Sequence, residues 1–127
     1  QKATMAVSMN STLRNARSTA IVTEAGATAK LTVYTAAYGA VLYTSTCAAT
    51  LGTVSGGVLT CNAVGSATAS GAGTAAIARL FKTDGTTMVM EGLTVGTSGT
   101  NIVITNTTIA VSDAITTSSA TITEGNA

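Results

Sequence analysis

The chain contains no histidine, which removes the imidazole general base, the Ser-His-Asp triad and the imidazole metal ligand together. Five acids remain: Glu24, Asp84, Glu91, Asp113 and Glu124. They are spaced one per expected element, mostly near turns or strand ends. A paired-carboxylate mechanism needs two such groups held about 5–10 Å apart. Glu91 and Asp113 are the pair a fold could bring together, and solvated surface charge is the simpler reading of both. Serine and threonine are plentiful, but no base accompanies them to raise their nucleophilicity. The glycine-rich run Gly71-Ala72-Gly73 lacks the lysine and the strand-to-helix setting of a phosphate loop. No catalytic residue, metal site or cofactor is expected, and the chain reads as non-enzymatic.

Cys47 and Cys61, the only two cysteines, fall in expected strands separated by the Gly56-Gly57 turn. Two readings stay open: small buried hydrophobes of a reducing compartment, or a cross-strand disulfide. The six cations, Lys2, Arg14, Arg17, Lys30, Arg79 and Lys82, are scattered, and the net charge is +1. That pattern offers no basic stripe for phosphates. With one Phe and three Tyr there is no base-stacking platform either. Nucleic acid is therefore not an expected partner. No apolar run approaches the ~20 residues of a membrane helix and none reads as a signal peptide, so no membrane partner is expected. Asn10-Ser11-Thr12 and Asn106-Thr107-Thr108 match the glycosylation pattern, which carries little weight without a signal peptide. The Thr-rich stretch Asp113 to Thr123 has no fixed repeat of the kind an ice-binding face needs, and solvent-facing β-branched residues account for it.

The elements that must position these residues follow from periodicity. Met9, Leu13, Ala16, Ala20 and Ile21 fall at helical spacing, predicting a helix over 8–25 with that stripe inward. Ser8, Asn10 or Ser11 can cap it, and Gly26 can end it. Residues 1–7 are expected as an extended N-terminal arm. From Lys30 the period is two, as a half-buried strand requires. Further strands are expected over Ala40–Cys47 and around hairpins at Gly56-Gly57 and Asp84-Gly85, whose residues accept the positive φ of tight turns. The segments Asn101–Thr105, Thr108–Val111 and Asp113–Glu124 complete the set, and Gly65–Gly73 reads as a flexible surface loop. The expectation is a single domain, mainly β: an antiparallel sandwich or jelly roll of seven to eight short strands over 29–124, with one N-terminal helix. Hydrophobic residues make up 46 % of the chain but aromatics only 3 %. Small side chains each bury little area at roughly 25 cal/mol per Å². Burial against other subunits would add to so modest a core, and a homo-oligomer (dimer or trimer) is expected. No proline guards the strand edges, which suggests cover by partner chains.

Three segments carry a resemblance. Ser11-Thr12-Leu13-Arg14-Asn15-Ala16-Arg17, Val95-Gly96-Thr97-Ser98-Gly99-Thr100-Asn101-Ile102 and Thr121-Ile122-Thr123-Glu124-Gly125-Asn126-Ala127 resemble a family of small virion-associated proteins of tailed bacteriophages. Arg79-Leu80-Phe81 and Met88 to Glu91 fit as well. The likeness runs from about Met5 to the C-terminus and departs near Ile77, where relatives often carry a bulkier aromatic. It implies a place in the phage virion, assembled in the bacterial host cytoplasm, without assigning that place. With catalytic groups absent, the leading expectation is a capsid decoration (cement) protein whose partner is the major capsid protein. The alternative is a tail, baseplate or fibre-associated protein binding a host glycan. Sugar rings want exposed aromatics, for which Tyr34 and Tyr38 near a loop are the candidates ahead of Tyr43 and Phe81. For shell contact the expected residues are the N-terminal segment, with Gln1, Lys2, Ala3, Thr4, Met5, Met9 and Leu13 as interaction residues.

Overall fold

The structure, a computed structural model, describes residues 10–123, and of Ser11 only the backbone. The expected arm over 1–7, the interaction residues Gln1, Lys2, Ala3, Thr4, Met5 and Met9, and Glu124 lie outside the described residues. The fold is mainly β with one helix, α1 (Ser11–Ala25), ahead of twelve strands. These are β1 (Lys30–Tyr34), β2 (Val41–Thr46), β3 (Gly52–Ser55), β4 (Val58–Cys61), β5 (Ala67–Thr68), β6 (Gly73–Thr74), β7 (Ile77–Phe81), β8 (Met88–Gly96), β9 (Ile102–Ile104), β10 (Thr108–Ile109), β11 (Ala114–Ile115) and β12 (Thr117–Thr123). Eight of them form one curled, sandwich-like sheet in the order β2-β1-β7-β8-β9-β12-β4-β3; β5 with β11 and β6 with β10 make two short side ladders.

Both expected hairpins form where turn chemistry put them. Gly56 and Gly57 take φ of 60° and 79° between β3 and β4, which pair Ser55 with Val58 across the turn. Asp84 and Gly85 turn β7 into β8, closed by the Lys82 N–H on the Thr87 carbonyl. The run Gly65–Gly73, expected as a flexible loop, instead lies along the outer edge of β2. Gly65 donates to the Thr46 carbonyl, and Ser70 and Gly71 both donate to that of Leu42. A Cβ on Gly71 would sit 2.4 Å from the Val41 carbonyl oxygen, so glycine is what lets the segment approach. The chain thus covers this edge itself, where the missing prolines had suggested a partner.

The helix presents a different face from the one expected. Asn10 caps it by accepting the Leu13 N–H at 2.8 Å, and Gly26 at φ 70° ends it. The inward residues are Arg14, Ser18, Ile21, Val22 and Ala25, while Leu13 stays 47 % exposed and Ala16 and Ala20 face out. Only Ile21 belongs to both stripes. The rotation has a polar cause. Asn15 Oδ1 accepts the Gly57 N–H at 2.8 Å, drawing the first half of the helix onto the β3–β4 turn. The Arg14 guanidinium lies over Gly57 so closely that a Cβ there would meet it at 2.9 Å. Small residues at Ser18 and Ala25 then let the second half sit close to the sheet.

One pairing in the sheet is parallel: β8 with β9, through Val95↔Ile102 and Gly96↔Val103. Parallel neighbours ordinarily need a crossover of a dozen or more residues, yet here the intervening loop is only residues 97–101. Asn101 makes this possible. Its Oδ1 accepts from the Thr94 N–H and Oγ1–H, its own N–H donates to Thr94 Oγ1, and its Nδ2 donates to the Thr121 carbonyl. Thr121 is where β12 changes partner from β9 to β4. Replacing Asn101 with Ala removes three of these bonds, one of them to the partly buried Thr121 carbonyl, so the chain should lose about 1–2 kcal/mol of stability. A denaturant melt of Asn101→Ala with an unchanged midpoint would show that the crossover is held by something else.

Candidate functional site

Every described acid is engaged in holding the scaffold. Glu24 pairs with Lys82 Nζ at 3.1 Å, tying the end of α1 to the β7–β8 turn. Glu91 Oε1 accepts from Arg79 Nε at 3.1 Å. Asp113 Oδ2 accepts the Ala110 N–H at 2.9 Å within its own turn. Asp84 accepts from the Thr86 and Thr87 backbone N–H groups, each at 2.8 Å, and from the Thr87 hydroxyl. Glu91 and Asp113, the pair weighed for acid–base work, are thus each bound to a different structural partner. Among the described residues no group of three or more Cys, Asp or Glu is placed to hold a metal ion.

Cys47 and Cys61 are free thiols, Cys47 buried and Cys61 half-buried. Both line one apolar cavity with Leu31, Leu51, Val64 and Leu80. Its volume is about 10 Å³, at the lower limit for a single water, so it is a packing void rather than a ligand site. A second, open cleft of about 170 Å³ lies between Thr105, Asn106, Thr108 and Asp113. Its polar groups serve their own loop: Asn106 Oδ1 accepts the Thr108 N–H, as Asp113 does that of Ala110.

Among the described residues, ring and charge come together where Tyr38 and Arg79 lie over the buried Tyr34. The loop from Thr35 to Ala40 is closed by the Thr35 N–H on the Ala40 carbonyl and by Thr35 Oγ1, which accepts the Ala40 N–H. Within it Ala37 and Tyr38 both take φ of 57°, a left-handed backbone that costs side-chain-bearing residues energy. What holds Tyr38 there is threefold. Its hydroxyl accepts the Gly92 N–H at 2.7 Å. Its ring meets Tyr34 edge-on, with centroids 5.3 Å apart and planes at 80°. The Arg79 guanidinium lies 3.9 Å from its ring centre, a close cation–π contact. Tyr34 itself is buried beneath this layer, Phe81 is half-buried on the same outer face, and Tyr43 is in the core. Of the expected interaction residues, Leu13 alone is described, on the solvent side of α1. The Tyr38–Arg79–Glu91 assembly was not visible in sequence spacing, because it joins the β1–β2 loop to β7 and β8.

Compared with protein-family models, curated proteins and solved structures, the chain finds no match.

Hydrogen bonding to Thr87 and Thr86 holds the Asp84 carboxyl down at about 2, below its ordinary 3.8. A carboxylate lowered on folding stabilises the folded chain above its unfolded value, and that contribution is lost as pH falls through the folded one. Asp84 should therefore titrate near pH 2 by NMR, and the β7–β8 turn should loosen between about pH 4 and pH 2. Asp84→Asn should abolish that acid-side dependence; an Asp84 midpoint near 3.8 would contradict the cap. Burial pushes both thiols up to about 11 from 9.0, with the neighbouring Cys47 adding to the shift at Cys61. At pH 8 they should react with a disulfide reagent about a hundredfold more slowly in the native chain than in denaturant. Equal rates in the two states would mean that the thiols are not shielded.

Proposed function

We propose that this chain is a non-enzymatic structural protein of a tailed-phage virion, acting through its surfaces as a decoration protein on the capsid shell. The observation that carries the reading is the commitment of Glu24, Asp84, Glu91 and Asp113 to scaffold contacts. Histidine is absent from the sequence, and among the described residues the acids are bonded into the scaffold and the two thiols are shielded, which supports a role through surfaces. The assignment to a phage particle rests on the resemblance of the segments 11–17, 95–102 and 121–127. The middle one supplies the Asn101 crossover. The major capsid protein is the partner this reading names. A glycan-binding tail protein would want an open aromatic face, and the guanidinium of Arg79 already occupies one face of Tyr38.

Cryo-electron microscopy of the intact particle tests the proposal, with the chain located by its density or by a fused label. Copies repeated over the capsid lattice, in hundreds per particle, are expected. Density confined to the tail or baseplate would favour the alternative, and absence from purified particles would overturn both.

A further inference from the structure

The sheet formed by β2, β1, β7 and β8 has an inner face that builds the core and an outer face that the described residues cover only in part, Thr32 and Tyr34 on it being buried at 7 % and 8 % exposure. Register identifies the outer side chains, because directly paired residues point the same way. Lys30 stands opposite Phe81 and Thr46, Thr32 opposite Arg79, and Tyr34 opposite Ile77 and Val41; Phe81 also stands opposite Met88. Their inner neighbours Leu31, Val33, Ala78 and Leu80 are buried to 2 % exposure or less. Outside, Val41 and Met88 are 47 % and 48 % exposed, and Ile77, Phe81 and Tyr38 are partly exposed. Of the four aromatic residues, Tyr38 and Phe81 are partly exposed on this side of the sheet, Tyr34 is buried beneath them and Tyr43 is in the core. The exposed or partly exposed apolar side chains Val41, Ile77, Phe81 and Met88, gathered on one sheet face, are what mark it.

The charges on this face say what fits it. Lys30 Nζ bonds the Thr46 hydroxyl at 2.8 Å, and among the described residues no carboxylate pairs with it. Glu91, 49 % exposed, bonds Arg79 through Oε1 only. A partner of one charge sign would match one of these groups and oppose the other. A second copy related by a two-fold axis matches both, since each surface then meets its own complement. We infer that this outer face is where a second copy of the chain docks, with Lys30 of each copy against Glu91 of the other beside an apolar patch of Phe81 and Met88. The inference stands independently of the virion reading.

Sedimentation velocity of the full chain from about 1 to about 200 micromolar tests it, at low and at high salt. A monomer–dimer equilibrium weakened by salt is expected. Lys30→Glu and Glu91→Lys should each raise the dissociation constant about tenfold or more, by setting like charges face to face. The double variant Lys30→Glu/Glu91→Lys should recover to within about threefold of the parent, since the cross-pair is restored with its sign reversed. Circular dichroism and melting of all three confirm that the fold survives. Loss of the Arg79 contact is common to the Glu91→Lys single and double variants, so recovery isolates the cross-copy pair. A parent that stays monomeric throughout, or folded variants whose association ignores the swap, would overturn the proposal.

Discussion

Among the described residues, Val95 with Ile102 and Gly96 with Val103 are the only ladder pairs joining β2-β1-β7-β8 to β9-β12-β4-β3. Without them the eight strands are two four-stranded sheets. The chain makes this junction by running out along β8, looping through five residues and resuming beside itself in the same direction. Asn101 is what converts that detour into a stable pairing, since it bonds Thr94 on one side and Thr121 on the other. Helix α1 spans the same division from above, touching β3, β4 and β8.

The remainder of the core shows what a chain of small side chains must do. Its interior is Ala, Val, Leu and Ile, with Tyr43 the one fully buried ring. The hydroxyls of Ser18 and Ser45 are buried without a hydrogen-bond partner, which costs about 1–3 kcal/mol for each, and those of Tyr43 and Thr117 are buried beside one another. Burial drives the Tyr43 phenol up to about 12, eased by Thr117 beside it, so it stays neutral in the interior. Such a core gains its cohesion from close approach of backbones as much as from bulk, as Gly71 on the β2 edge and Gly57 beneath Arg14 both illustrate.

That distribution divides the molecule's chemistry from its architecture. Charged groups that elsewhere serve catalysis here close turns, tie α1 to a hairpin and fix the loop bearing Tyr38. The strained backbone at Ala37 and Tyr38 is held by Arg79, Tyr34 and Gly92, contacts drawn from three separate strands and their flanks. A rigid, ring-bearing surface on a β scaffold is suited to binding another surface, and the rings lose little entropy in doing so.

The mainly β class, the leading helix and both principal hairpins were legible in the residues alone. Alternation at Lys30–Tyr34 and Ile77–Phe81, and the turn residues at Gly56-Gly57 and Asp84-Gly85, act locally, within the reach of a few bonds. So did the exclusion of imidazole chemistry, which composition decides outright. The face of α1 was not legible, because Leu13-Ala16-Ala20 and Ser18-Val22-Ala25 are both spaced for a helix. The choice between them fell to Asn15 meeting Gly57, forty-two residues away. The parallel β8–β9 junction, the covering of β2 by Gly65–Gly71 and the stacking of Arg79 on Tyr38 were likewise settled only by tertiary structure. Each depends on a hydrogen bond or ring contact between segments distant in the chain, and pairings of that kind leave no period or spacing in the sequence to be read.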